Sequence, residues 1–382
     1  MPVLRPSLTR TRALLVVLAI VSLVALFTTR VSRKMPDFQV YWTAGARALA
    51  AEPLYRADDG HYQFKYLPAF AILAVPAALV PLPAAKAAWF AISALLMIAL
   101  LWLSLRTMPD LRRPAPLLLV LTFLAMAKFY AHELVLGQVN LLFGAIVVLA
   151  IVWMRQGRDA AAGLLLALAV VVKPYAAIFA PWLATRRNRA AFGAMAAALI
   201  VLLLLPAVRY GWQGNLQLLG DWWRTVTTTT APNLTNPDNV SLSAMFAKWL
   251  GPQSTATMLA SAAAAVLLIV TGIVIAGRGA LKTPDTLEGS LLLLLIPLLS
   301  PQGWDYVFLI GTPAVMLLIN DSAALPRGIR IAALASIAVV GLTIYDLVGR
   351  DLYATFMQLS IVTICMVIEF AALATLRFRR AA

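Results

Sequence analysis

Residues 262–274 read AAAAVLLIVTGIV, and residues 13–26 read ALLVVLAIVSLVAL. Neither stretch has a polar face at either the helical or the strand period. A transmembrane barrel needs alternating apolar and polar positions, so these runs exclude one. Buried in lipid, their backbone N–H and C=O groups must pair within the segment, which means helices. A bilayer core of roughly 30 Å takes about 20 helical residues.

Runs of this kind recur along the chain. Of the 382 residues 62% are hydrophobic and only 12% are charged, about half the charged share of soluble domains. A soluble fold could not hide so much apolar surface. The expected fold is all-α: a polytopic integral membrane protein, read as one transmembrane domain over residues 1–382.

The net charge of +15 would suggest nucleic acid on a soluble protein. Here the positive residues sit in short clusters between apolar runs, which is a topology signal. The clusters are Arg5, Arg10 and Arg12; Arg106, Arg112 and Arg113; Arg155 and Arg158; Arg186, Arg187 and Arg189; Arg278 and Lys282; Arg327 and Arg330; Arg377, Arg379 and Arg380. Placing all of them in the cytoplasm predicts twelve spans with both termini inside. They are 13–31, 85–105, 115–131, 140–154, 160–172, 175–185, 191–208, 256–277, 287–300, 305–320, 331–346 and 354–376.

This threading puts 18 basic and five acidic residues inside, against 11 and ten outside, as the positive-inside rule requires. The first run resembles a signal peptide but is too long and lacks a cleavage site, so it reads as an uncleaved span. The expected location is the plasma (inner) membrane. Two long outer segments remain, 32–84 and 209–255, both rich in Trp, Tyr and Pro. Residues 66–82 read as a helix half-sunk in the outer interface, and Thr225–Thr230 as a flexible loop.

Candidate chemistry crowds the outer face. Asp37 follows the first span, and a carboxylate at a low-dielectric boundary can serve as a general base. It could equally cap a helix or pair with Arg33 or Lys34. Lys65 stands where the chain re-enters the interface, suited to a lipid phosphate or to ordinary headgroups. Gln138 and Asn140 could bind sugar hydroxyls, although Asn140 also reads as a cap.

Lys173 interrupts an apolar run at Lys173-Pro174. A charge at a helix centre costs roughly 2.5–3.5 kcal/mol on insertion scales, which an acid or an anionic ligand must offset. Asp305 is a second carboxylate at the outer surface, or a cap. Asn239, Ser241 and Ser243 read as caps of the next helix. His61 and His132 are the only histidines, so a histidine-rich metal site is excluded. The lone Cys365 forms no intrachain disulfide.

In their order these segments resemble glycosyltransferase family 87. The resemblance is carried by Asp37-Phe-Gln-Val-Tyr41, Pro53-Leu-Tyr55, Phe64-Lys-Tyr-Leu-Pro68 and Gly137-Gln-Val-Asn140. It continues with Ala162-Gly163 running to Lys173-Pro174, and with Ser300-Pro301 followed by Trp304-Asp305. It covers nearly the whole chain.

It implies a GT-C-type architecture with an extracytoplasmic active site and a polyprenyl-phosphate sugar donor, mannose first among the sugars. The acceptor would be an envelope glycolipid or glycan, and the mechanism inverting. The family's acidic residue in the first outer loop falls on Asp37 as base. Many members carry a histidine just after the Trp of the Ser-Pro…Trp motif; this chain has Asp305-Tyr306 there, so no role passes to that position.

The phosphate would meet Lys65 or Lys173. The sugar would meet Tyr41, Trp42, Tyr66, Gln138, Asn140, Trp304 and Asp305. No cofactor, metal ion or nucleic acid is expected; the partners are membrane lipids, donor and acceptor. The competing reading is a lipid or small-molecule transporter or flippase. Such proteins place polar groups near the midplane and often show paired repeats, whereas here Lys128, Lys173 and Glu369 are the charges set deep in apolar sequence and the others fall near the ends of the runs or between them.

Overall fold

The computed structural model describes residues 6–277 and 283–379. Arg5, Arg278, Lys282 and Arg380 of the basic clusters lie outside the described residues, as do the side chains of Arg10, Arg12 and Arg379. Among the described residues the regular structure is helical, with one isolated bridge between Asn239 and Trp304.

In chain order the helices are α1 (Pro6–Leu26), extended by a π-helical turn at Phe27–Val31, then α2 (Pro36–Ala50), α3 (Pro68–Ala78), α4 (Leu82–Thr107), α5 (Ala115–Leu136), α6 (Asn140–Arg155) and α7 (Asp159–Val172). Next come α8 (Phe179–Thr185), α9 (Arg189–Leu204), α10 (Ala207–Asn233), α11 (Leu242–Leu250), α12 (Ser254–Ala276) and α13 (Pro284–Leu299). The chain closes with α14 (Thr312–Asp321), α15 (Arg327–Leu342), α16 (Tyr345–Val348), α17 (Arg350–Gln358) and α18 (Ile361–Arg379). Short 3₁₀ segments lie at Ala57–Tyr62, Pro174–Ile178 and Asp305–Gly311. Proline opens the first turn of α2, α3, α4, α5, α13 and α14, where its missing N–H leaves no bond unmade.

At the centre lie α13 and the run from Asp305 through α14. Every residue from Asp285 to Leu298 and from Asp305 to Asp321 is buried. Around them α4 and α7 flank α6, α5 packs on α14, and α15 packs on α18. The outer helices turn bare apolar rows outward: Leu95 on α4 is 66% exposed, Val201 on α9 65% and Ile269 on α12 62%. Rows like these belong against lipid, and the protein is membrane-embedded.

Four of the described helical segments are long and apolar enough to cross a bilayer: Leu82–Thr107, Ala115–Leu136, Ser254–Ala276 and Asp305–Ala324. Six qualify if each of two bent pairs is one span.

Two expectations change. The stretch 354–376 is not one straight helix, because α17 and α18 meet at a bend of 57°. Thr225–Thr230 is not a loop but part of α10, which follows α9 after a turn of 91°. Thr227 to Thr230 each bond the carbonyl four residues back, so the hydroxyls are absorbed by the helix itself.

The loops sort to two ends. At one, Arg155 donates to the Thr107 carbonyl at 2.6 Å, Asn188 to Asp159 at 2.7 Å, and Arg186 and Arg112 pair with Asp285 and Asp321, both at 2.8 Å. At the other, Met35 N donates to the Val135 carbonyl at 3.0 Å, Trp222 Nε1 to the Lys65 carbonyl at 3.2 Å, and Val240 N to the Gly303 carbonyl at 2.7 Å. The arginine-rich turns occupy the first end; the cavity described next occupies the second.

Candidate functional site

The geometry begins where α1 hands over to α2. Met35 turns the chain in the left-handed region (φ 61°), and Pro36 starts α2 with Asp37 in its first turn. A helix N-terminus favours a negative charge there. Neither Arg33 nor Lys34 forms an ion pair with Asp37 among the described residues, so a salt bridge to them is not what holds it.

The neighbouring turn is built by Gly137, which ends α5 at φ 70°. A Cβ there would stand 2.8 Å from Phe38 Cβ and 2.9 Å from Met35 Cε. Only glycine supplies both the backbone angle and the room. Trp89 of α4 stacks on Phe38 at 5.6 Å and donates to the Gly137 carbonyl at 3.0 Å. The result delivers Gln138 beside Asp37.

Gln138 is a hub. Its Oε1 accepts from Tyr41 at 2.9 Å and from Tyr66 at 3.3 Å, while its Nε2 donates to the Tyr306 hydroxyl at 3.4 Å. The Tyr41 and Tyr66 hydroxyls are themselves 2.7 Å apart. Burial pushes the Asp37 carboxyl above its ordinary 3.8; a hydrogen bond with Gln138 and the positive field of Lys173 oppose the shift. Burial pulls Lys65 below its ordinary value, with Asp37 opposing.

Lys173 stands at the break after α7, in extended conformation with φ −146° and ψ 113°. Its Nζ lies 5.8 Å from the Tyr66 ring centre, and the residue is 9% exposed. No carboxylate comes within 4 Å of it among the described residues. Glu133 and Asp37 are the acids whose field reaches it. Glu133 is committed elsewhere: its oxygens accept from Asn140 Nδ2 at 2.8 Å and from Leu141 N at 2.9 Å, closing the N-terminus of α6.

One cavity of about 150 Å³ collects Asp37, Tyr41, Lys65, Tyr66, Gln138, Lys173 and Trp304. Three other residues expected to bind the sugar face elsewhere. Trp42 is one residue round α2 from Tyr41 and donates to the Val80 carbonyl at 3.0 Å. Asn140 is fully buried on Glu133. Asp305 is buried behind the wall, accepting from Tyr306 N at 2.7 Å, with His132 Nδ1 at 3.5 Å and Lys128 Nζ at 3.8 Å.

Residues that sequence reasoning does not single out also line the cavity, among them Tyr175, Tyr306 and His61. Tyr175 follows the Lys173-Pro174 break directly, and that adjacency is a usable signal. Glu133 is not recoverable in this way, since its pairing across the Gly137 turn leaves no mark on spacing. Ser241 does cap α11, accepting from Ala244 N at 3.1 Å.

The cavity thus combines a buried carboxylate, two lysines with no acid partner within 4 Å among the described residues, and a cluster of phenols and an amide, a set able to meet both negative charge and hydroxyl groups. The sequence profile of glycosyltransferase family 87 matches residues 64–301, the larger part of the chain. Asp37, Tyr41 and Trp304 lie beyond that stretch. No curated protein and no solved structure matches the chain.

Proposed function

Given that the chain belongs to glycosyltransferase family 87, we propose that this membrane-embedded glycosyltransferase moves a sugar, mannose first, from a polyprenyl-phosphate donor to a glycan or glycolipid acceptor with inversion. The observation that carries the reading is the gathering of Asp37 with Lys65 and Lys173 in one cavity at a single end of the helices.

In this reading Asp37 accepts the proton of an acceptor hydroxyl. The acceptor oxygen forms its bond to the anomeric carbon from the face opposite the phosphate. The bond from that carbon to the phosphate oxygen breaks, and its electron pair leaves with polyprenyl phosphate. Lys65 and Lys173 offset the charge that grows on the leaving oxygen. Tyr41, Tyr66, Gln138 and Trp304 hold the sugar by hydroxyl bonds and ring faces. Burial raises the pKa of Asp37, which makes it a stronger base than a free carboxylate.

The arginine-rich end then faces the cytoplasm and the cavity the opposite side of the plasma membrane, as the positive-inside rule places them. Asp37→Asn, assayed with polyprenyl-phosphate mannose in membranes, is expected to lose roughly 10²–10⁴-fold in turnover, the usual worth of a general base. Full activity in that variant rejects the mechanism. Flipping or uptake in liposomes without any sugar transfer by the wild type rejects the transferase reading in favour of transport.

A further inference from the structure

Asp37 and Tyr41 face the cavity, but another row of α2 faces a second hollow. Val40, Thr43 and Arg47 recur at spacings of three and four, with Gln39 alongside, so they share one helix face. Asp59 and Tyr62 of the Ala57–Tyr62 segment stand across from them, and the hollow encloses about 280 Å³. Val40 and Tyr62 line both hollows, which makes the second a direct annex of the first.

Its lining sets Gln39, Thr43, Arg47 and Asp59 beside the apolar Pro36, Val40 and Phe64, and its charges cancel. Arg47 grips Asp59 through two bonds of 2.5 and 2.7 Å. The two side chains are only 13% and 21% exposed, so the pair is fixed rather than fluttering in solvent. Gln39 and Thr43 have side chains with no partner among the described residues. Tyr62 is 52% exposed.

A planar charged pair, a free amide and hydroxyl, and an open aromatic face match the needs of a sugar. Hydroxyls bond along the edges while a ring covers the apolar face. A second phosphate suits the hollow poorly, because Asp59 already neutralises Arg47.

We infer that this hollow is the acceptor subsite: it holds the terminal sugar of an uncharged glycan, whose hydroxyl reaches Asp37 across Val40. The inference rests on the transferase reading of the first cavity. The first cavity then takes the donor, and α2 is the ridge on which the two substrates meet.

The test uses the full-length protein in nanodiscs and diazirine-bearing octyl glycosides of mannose, glucose and galactose. At least one of them is expected to label Gln39, Thr43, Arg47 or Asp59, which line the second hollow and not the first, as located by mass spectrometry. Thr43→Trp, which fills the hollow, is expected to cut that label tenfold or more. Label confined to the Lys65–Lys173 cavity or to lipid-facing helices, or no label from any of the three, overturns the subsite. The wild-type map decides this even if the variant does not fold.

In the transfer assay Thr43→Trp should raise KM for the labelled glycoside at least tenfold and leave KM for polyprenyl-phosphate mannose within twofold. An unchanged glycoside KM overturns the subsite and leaves the transferase reading standing. A wild type that labels at the hollow yet transfers no sugar defeats the transferase reading and leaves a glycan-binding site.

Discussion

Asp37 carries opposite demands. Burial raises its pKa, so the ionised form needed for a base is the form the fold holds less well. The linkage has a definite sign. A carboxyl whose folded pKa is raised favours the protein while protonated, and that contribution is lost as pH rises through the raised value. The destabilisation begins above 3.8, the ordinary value, and is complete above the raised one. Asp37→Asn is therefore expected to raise Tm at pH 7 while removing turnover, and the Tm gain should vanish below pH 3.8. The acid limb of the wild-type rate profile should lie above 3.8, because the base must be deprotonated; a limb at or below that value contradicts the assignment. Lys173 makes a parallel case. Its cation lies in the wall with no acid within 4 Å among the described residues, and desolvation of such a charge is costly. Lys173→Met should leave Tm equal or higher, while KM for the polyprenyl-phosphate donor rises roughly ten- to a hundredfold, the worth of about 1.5–3 kcal/mol for a charged hydrogen bond. An unchanged donor KM removes Lys173 from the phosphate site.

At the scale of elements, α7 carries Lys173 at its end and is held by α9. An ideal Cβ on Gly163 would stand 2.2 Å from the Ala191 carbonyl oxygen, which is backbone and cannot swing aside. Gly163→Ala must push the helices apart, at a cost of roughly 1–3 kcal/mol by the usual measure of overpacking. It should lower Tm and activity together. Gly193 on α9 has open space around its Cβ direction, so Gly193→Ala should hold or slightly raise Tm; equal loss in both variants argues against the close crossing. The glycine's role is not legible in the sequence, where Ala162-Gly163 is only a motif pair. Neither is the helical state of Thr225–Thr230, whose low hydropathy masks hydroxyls that bond their own helix. Trp42 shows the same limit at one residue's distance. It sits beside Tyr41 in sequence, yet about 100° of helical rotation turns it toward Val80. What can be read are features written in composition: the apolar runs and the break at Lys173-Pro174.

For the molecule as a whole, the sorting of loops to two ends is the property that matters. The basic clusters anticipate it, because charge along a chain maps directly onto which turns can share a side. The pairing of Asp305 with His132 and Lys128 is beyond such reading, since it joins segments far apart in the chain. The proposed orientation is open to a labelling test. Cys365 is buried, so the background toward thiol reagents is low. Asp58→Cys, exposed beside the cavity, should react with an impermeant maleimide on intact spheroplasts. Arg189→Cys, exposed at the opposite end, should react only after permeabilisation. The reverse pattern inverts the topology and with it the side on which glycans are made.

The two lysines of the cavity also bear on how fast such a catalyst can run. A sugar phosphodiester has one negative charge, but the monoester left after transfer gains a second ionisation near pH 6. If the two lysines bind the donor as proposed, the same cations grip the spent lipid harder than the loaded one. Under the proposed chemistry, steady turnover is set by the escape of the bare carrier into the bilayer, after a rapid first cycle.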